Sequence, residues 1–276
     1  MLLDEPYRWA ETIANRREYL EDQLRGGRPV LGIPYDDGAL LLTFGRGGSK
    51  LFEIYDRVAF GAIGHPADIE RLRLAAVDMA HVDGFTNSVD DVSLQRLVNF
   101  GVAPLVKNAF DEVLRAPYII RILMAEIGPA KGARFYTIDC DGTFESSERC
   151  GAVAGTQKAA GAMRACVEAS GAEGRGLAEA LDLALRAWAL GRKVDREEEE
   201  GQEAPESSRI KVIRAEEGRE VPESPRIEDR EVGEILREET RARAAEVAVL
   251  ARSRLSKSKF RVLTGEEIRA AMAKYL

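Results

Sequence analysis

A lysine that follows a glycine-rich run is the clearest place in this sequence where residue types and spacing could support chemistry. Lys50 comes directly after Gly-Arg-Gly-Gly-Ser at positions 45–49. Such a loop can wrap a phosphate with its backbone N–H groups, but the phosphate-loop pattern requires two glycines with four residues between them, the second directly before Lys-Ser or Lys-Thr. This run lacks that spacing and leads into an apolar stretch. The residues alone therefore leave two interpretations of Lys50, a functional cation or a surface lysine after a turn.

The other candidate residues form weaker patterns. His65 and His81 are the only histidines and lie sixteen residues apart, which fits neither a metal cluster nor a His-based catalytic triad. Asp139 and Asp141 could imitate a pair of catalytic carboxylates, but the Asp-Cys-Asp-Gly sequence that contains them is typical of a solvated hairpin turn. We therefore expect no metal site and no cofactor.

The elements that position these residues can be predicted from hydrophobic periodicity and turn signals. Apolar spacings of three and four predict helices over residues 6–24, 66–82, 90–114, 156–170, 176–190 and 264–275. Short apolar runs bounded by turn residues predict strands over residues 29–35, 38–44, 51–55, 57–63, 118–127, 133–138, 143–149 and 246–251. We expect Ser88 or Asp91 to cap the third helix and Pro104 to kink it. Strands and helices in segregated groups favour a layered α+β domain over alternating βαβ units.

One acidic segment interrupts this order. Residues 195–240 contain 17 acidic and 8 basic side chains, three prolines and no aromatic residue. So little apolar surface does not offset the entropy of ordering a chain. We therefore interpret residues 195–244 as a flexible acidic insertion, although residues 229–243 could form a charged helix.

Composition excludes several classes of protein. The 276 residues have a net charge of −7, and the acidic segment contributes −9, so the rest carries only about +2 and no strong basic field for nucleic acid. The longest apolar stretch, residues 118–127, contains Arg121 and Glu126 and is too short to span a membrane. The first residues lack the features of a secretory signal. We expect a cytoplasmic protein that binds neither nucleic acid nor membrane.

Several local patterns, taken in order, resemble the α-type subunit of the bacterial and archaeal 20S proteasome core. The resemblance covers most of residues 7–194 and 245–276. The segments that carry it are Glu18-Tyr19 with Leu31-Gly32-Ile33, Ser49-Lys50-Leu51 with Ile54-Tyr55-Asp56-Arg57-Val58, the glycines at 61 and 64, Phe135-Tyr136-Thr137-Ile138-Asp139 with Asp141-Gly142-Thr143, and the small residues 151–155. Each segment alone is a weak signal, and the ordered set is fairly specific.

The resemblance implies a four-layer αββα sandwich of the Ntn-hydrolase type, which agrees with the element order predicted above. Catalytic members of this family begin their first strand with a free N-terminal threonine and use a nearby acid and lysine. Here Arg28-Pro29-Val30 occupies that place, and the strand expected to carry the acid reads Leu-Leu-Thr-Phe-Gly at 41–45. Only the lysine is retained, as Lys50. The resemblance therefore implies a subunit without its own catalysis.

The same resemblance assigns roles to individual residues. Lys50 would line the pocket between neighbouring α subunits that receives the C-terminal carboxylate of a regulatory AAA ATPase. Met1, Leu2 and Leu3 would lie at the axis of a seven-membered ring and close its pore, and Tyr19 would support that gate.

We therefore expect three regions: a gate segment and helix over residues 1–28, a proteasome-like core over 29–194 and 245–276, and the insertion over 195–244. The expected function is a non-catalytic subunit of a homoheptameric ring that caps a ring of β subunits, controls substrate access and docks a regulatory ATPase. Two alternatives remain open. One is a free-standing hydrolase of the same fold with its own nucleophile, and the other is a solitary adaptor that recruits partners through its acidic segment.

Overall fold

The computed structural model describes residues 6–112, 114–128, 132–171, 174–203 and 227–276. Within these ranges two antiparallel sheets of five strands lie face to face, and helices cover the outer face of each sheet. The layers follow the order helix, sheet, sheet, helix. The predicted α+β sandwich is therefore confirmed.

The described elements alternate between groups of strands and groups of helices. The strands are β1 (Val30–Tyr35), β2 (Gly38–Gly45), β3 (Leu51–Tyr55), β4 (Val58–Gly64), β5 (Ile120–Ile127), β6 (Ala133–Ile138), β7 (Phe144–Ser147), β8 (Gly151–Val153), β9 (Ala244–Ala251) and β10 (Phe260–Val262). The α-helices are α1 (Pro6–Leu24), α2 (Pro66–Thr86), α3 (Leu94–Leu97), α4 (Ala103–Asp111), α5 (Gln157–Ala169), α6 (Leu177–Glu203), α7 (Asp229–Ala242) and α8 (Gly265–Met272). Of these helices, none has the length and apolar character that a membrane crossing requires.

The first sheet has the order β10-β9-β2-β1-β8, and the second runs β3-β4-β5-β6-β7. In β2, Leu40, Leu42 and Phe44 face the helical layer of α5 and α6, whereas Leu41 points between the two sheets. Both faces of β2 are covered, so every residue of this strand is buried. This explains why β2 reads as a continuous apolar run and not as an alternating one.

Strand β9 pairs with β2 along its whole length, from Gly38 opposite Ala251 to Gly45 opposite Ala244. The glycine at position 38 is required by this close approach, because a Cβ there would lie 1.8 Å from the carbonyl oxygen of Leu250. The first sheet is thus completed by a strand that comes late in the chain.

The predicted helix over residues 90–114 is wrong in its detail. The helix begins at Leu94, and its N-cap is Ser93, whose hydroxyl accepts a hydrogen bond from the backbone N–H of Arg96 at 3.4 Å. A π-helical turn, Val98–Val102, separates α3 from α4. Pro104 has no N–H to donate and its ring clashes with the carbonyl four residues earlier, so the wider turn before it accommodates the proline.

The expectation of a flexible insertion from residue 195 also needs correction for the part that the structure describes. Helix α6 continues to Glu203, and α7 packs against it. Charged side chains link the two helices, as Lys193 with Glu231 at 2.7 Å and Arg196 with Glu238 at 2.6 Å. The charged side chains that led us to predict disorder form ion pairs across the interface between α6 and α7. Residues 204–226 lie outside the described ranges.

Asp195 shows how firmly this part of α6 is packed. Its side chain is completely buried, and its Oδ1 accepts hydrogen bonds from the backbone N–H of Thr156 at 3.0 Å and from the Thr156 hydroxyl at 2.9 Å. Thr156 is the N-cap of α5, so Asp195 fixes the start of that helix. Burial raises the pKa of Asp195 to about 6, even though the Thr156 hydrogen bonds act in the opposite direction.

We predict that Asp195 makes stability depend on pH in a defined direction. Its pKa is higher in the folded state than in the unfolded chain, so its stabilising contribution is present at acidic pH and is lost as pH rises through about 6. Asp195→Asn keeps an oxygen acceptor for Thr156 but does not titrate. When pH falls from 7.5 to 5, the wild-type free energy of unfolding should gain about 1 kcal/mol relative to the variant in urea denaturation. Equal changes in the two proteins would contradict the assignment.

Candidate functional site

The loop between β2 and β3 holds Lys50 in a fixed backbone position. Gly47 adopts a positive φ of 73°, which the tight turn requires. Glu246 of β9 accepts hydrogen bonds from the backbone N–H groups of Lys50 at 2.8 Å and Leu51 at 3.0 Å, and also from the Ser49 hydroxyl. This carboxylate therefore binds the backbone of the loop. The surroundings of the Lys50 side chain are formed by other groups.

Those surroundings are a cleft of about 420 Å³ bounded by the end of α1, the β2–β3 loop, the start of α2 and the α7–β9 junction. The basic side chains that line it are Arg28, Arg46, Lys50 and Arg243, with His65 beside them. No Asp or Glu belongs to the cleft lining within the described part of the chain. The cleft is therefore an electropositive site that suits an anionic ligand.

The cleft perturbs the titration of Lys50. Burial is the largest effect and disfavours the ammonium ion, and the neighbouring charges of Arg28 and Arg243 act in the same direction. Glu246 and Glu239 oppose them only in part. The pKa of Lys50 is lowered to about 8. A ligand carboxylate would relieve this repulsion, because it supplies the negative charge that the site lacks.

A buried carboxylate organises the back of the cleft. Glu239 of α7 is only 2% exposed, and it accepts hydrogen bonds from Arg28 at 3.0 Å, Arg243 at 2.9 Å and Arg192 at 3.2 Å. Burial alone would raise the pKa of Glu239, but the hydrogen bonds and charges of these arginines lower it overall. Arg28 precedes β1, and Arg243 joins α7 to β9. One carboxylate thus orients two cations that come from distant parts of the chain.

Comparison with known proteins identifies the family. A family model described as proteasome subunit matches residues 24–202. This chain belongs to the proteasome subunit family. Proteasome subunit alpha of Streptomyces scabiei is 30% identical over 180 residues, which cover 64% of this chain and 71% of the relative. Proteasome subunit alpha of Actinosynnema mirum is 30% identical over 185 residues, covering 66% and 68%, and that of Frankia alni is 29% identical over 180 residues, covering 64% and 73%. The predicted α-type family is confirmed.

Among the gate residues predicted from the α-type resemblance, Tyr19 can be placed in the proteasome-family fold. It lies in α1 with its side chain 51% exposed, while Leu20 and Leu24 of the same helix are buried between α1 and the sheets. Met1, Leu2 and Leu3 lie outside the described residues. The structure therefore places Tyr19 on a surface and does not bring it together with Lys50.

In catalytic members of the family the first strand begins with the N-terminal threonine. In this chain the corresponding position lies inside the chain. Strand β1 begins at Val30, directly after Arg28-Pro29. The Pro29 carbonyl oxygen accepts hydrogen bonds from the buried Thr43 hydroxyl at 2.8 Å and from the Trp188 indole N–H at 2.8 Å. The Thr43 hydroxyl thus serves to fix the start of β1.

Each of the two histidines contacts residues close to it in the structure. The Nδ1 atom of His65 accepts a hydrogen bond from the backbone N–H of Ala67 at 3.3 Å and caps α2, and His81 packs edge-on against Tyr55. No group of His, Cys, Asp and Glu side chains within the described ranges could hold a metal ion.

Sequence reasoning missed Arg243, Glu239 and Glu246 as site residues, and it interpreted Arg28 only as the residue at the place of the nucleophile. A usable signal exists for one pair, because Glu239 and Arg243 are spaced i, i+4 in a segment that could form a charged helix. No local pattern places Arg28 beside them.

We predict that Lys50 titrates near pH 8. Reductive ¹³C-methylation of the chain would give each lysine a separate NMR resonance, and Lys50→Arg would identify the one that belongs to Lys50. Arg243→Gln should raise the midpoint of the Lys50 titration, because one like charge is removed. A midpoint at the ordinary lysine value would contradict the buried, electropositive cleft.

Proposed function

We propose that this α-type proteasome subunit is a non-catalytic member of a seven-membered ring, which caps a ring of β subunits, controls substrate access and docks a regulatory ATPase. The observation that carries the proposal is the cleft, where a partly desolvated Lys50 and three arginines meet without a lining carboxylate. A peptide C-terminal carboxylate is the complementary charge, and charge-assisted hydrogen bonds in such a site are strong.

The position of the cleft supports docking in preference to catalysis. It adjoins the start of β1 through Arg28, and its described lining contains no hydroxyl or thiol, while the nearby Thr43 hydroxyl is bound to the Pro29 carbonyl oxygen. Acyl transfer in this family requires a nucleophilic hydroxyl and an adjacent base. The Lys50 ammonium can bind an anion without either of them.

We predict that the isolated chain cleaves no fluorogenic peptide and takes up no threonine-directed covalent inhibitor. Co-expression with a β subunit should give a particle whose native mass fits seven α chains in each outer ring, with inhibitor label confined to β. Stoichiometric labelling of this chain would contradict the non-catalytic assignment, and a native mass that fits another number of chains would contradict the seven-membered ring.

The gate remains a prediction. Half-exposed Tyr19 on α1 is compatible with a contact to a neighbouring subunit or to the pore segment. We propose that Met1, Leu2 and Leu3 form that pore segment, with Tyr19 as its support.

We predict that Lys50→Ala leaves the ring assembled but prevents ATPase docking and ATP-dependent degradation of folded substrate. The side chain follows a loop and supports none of the apolar cores, so the fold does not require it. A lost charge-assisted hydrogen bond weakens each occupied cleft by roughly 1.5 to 3 kcal/mol. Lys50→Arg should retain part of the docking, since its charge remains while its reach and geometry change.

Docking affinity would be measured at matched salt, because electrostatic binding weakens as ionic strength rises. Hydrolysis of a small peptide by the same particles controls for intact β sites. We expect the rate of this hydrolysis to be equal for the wild-type and the Lys50→Ala particles. An alanine particle that binds its ATPase with unaltered affinity would show that Lys50 is a surface lysine and that the docking site lies elsewhere.

A further inference from the structure

The cleft carries more positive charge than one carboxylate can neutralise. Its lining has four cationic side chains, Arg28, Arg46, Lys50 and Arg243. The two carboxylates nearest to them are Glu239 and Glu246, which leaves an excess of about two positive charges. Arg192 and Arg196 also contact Glu239, but they have carboxylate partners of their own in Glu199 and Glu238.

The two neighbouring carboxylates are already hydrogen-bonded to other groups of this chain. Glu239 is 2% exposed and is shared between Arg28 and Arg243 of the lining and the buried Arg192. Glu246 binds the backbone N–H groups of Lys50 and Leu51. Neither carboxylate lines the cleft, so a ligand meets the cations without competition from an acid of this chain.

Arg28 and Arg243 keep donors available for a ligand. The Nε group of Arg28 donates a hydrogen bond to Glu239, and its Nη1 group donates to the carbonyl oxygen of Gly26. The Nη1 group of Arg243 also donates to Glu239. Among the described residues, the Nη2 group of each has no hydrogen-bond partner. Their side chains are only 14% and 19% exposed, so a charge bound to them is partly shielded from water. The planar guanidinium fork matches the geometry of a carboxylate.

The described C-terminal residues do not line the Lys50 cleft, although Leu276 lies in a neighbouring cleft beside Arg46 and Arg243. Tyr275 is buried against α6 and α7, its hydroxyl donates to Asp182 at 2.6 Å, and its carbonyl oxygen accepts a hydrogen bond from Arg237 at 2.8 Å. The described C-terminal residues therefore leave the Lys50 cleft open to a ligand.

We infer that the cleft selects a peptide C-terminus carrying a second carboxylate, an Asp or Glu side chain next to the terminal residue, and that Arg28 and Arg243 determine this specificity. Lys50 binds the terminal carboxylate and the two arginines bind the side-chain carboxylate. The inference rests on the proposed docking function, since it names the class of peptide that the Lys50 cleft accepts.

The test compares short fluorescein-labelled peptides that end in Glu-Leu or Gln-Leu and are otherwise identical, with fluorescence anisotropy on the full-length chain at fixed salt. We expect the Glu peptide to bind at least tenfold more tightly, because charge-assisted hydrogen bonds are about twice as strong as neutral ones. Amidation of its C-terminus should weaken binding by a similar factor, because Lys50 loses its partner.

Variants then assign the selectivity. Arg243→Gln and Arg28→Gln should each reduce the Glu-to-Gln preference to about twofold or less while binding of the Gln peptide is retained. Arg230→Gln removes the same charge from α7 at an exposed position outside the cleft, and it should leave the preference unchanged. The wild-type peptide comparison decides the inference even if one arginine variant does not fold.

The outcomes separate the two proposals. If Lys50→Ala weakens both peptides but the wild type binds them equally, the docking function stands and the acidic preference is wrong. If Lys50→Ala changes neither affinity, the docking function itself is wrong. Equal competition by inorganic phosphate against both peptides, with no preference between them, would show a general anion site and would overturn the inference.

Discussion

A buried carboxylate needs cations or hydrogen-bond donors to replace the water that it has lost. Glu239 is such a carboxylate, and several elements of the structure are tied together through it. It is 2% exposed and binds arginines that precede β1, lie on α6 and follow α7. Taking one partner from a buried ion pair commonly costs about 3 to 5 kcal/mol, so these elements are bound to one another. The same contacts aim Arg28 and Arg243 into the cleft.

The cleft is therefore a product of the fold and not of one motif. The lysine lies in the loop before β3, inside the family match, whereas Arg243 and Glu239 come from a region beyond that match, which ends at residue 202. Glu246 of β9 fixes the lysine loop from the same region. Part of the anion site thus comes from the segment that the sequence predicted to be unstructured.

The layers were predictable because strand and helix periodicities are local, and most predicted bounds agree with the observed elements to within a few residues. β8 and β10, each of three residues, escaped prediction because their stability comes from pairing with β1 and β9. The length of α6 was missed for another reason. Its charges suggested solvation, but Arg192 and Asp195 are buried, and they bind Glu239 and Thr156, which lie 47 and 39 residues away in the sequence. Lys50 was predictable from a family pattern, while its arginine neighbours are visible only in three dimensions.

The pairing of β2 with β9 has a consequence for synthesis of the chain on the ribosome. About two hundred residues separate the two strands, and β2 is apolar on both faces. Until β9 leaves the exit tunnel, the edge of β2 has no strand to complete it, and an open apolar edge is a template for aggregation. The nascent protein must therefore carry an unfinished sheet through most of its translation, and chaperone demand should be highest just before residues 244–251 emerge.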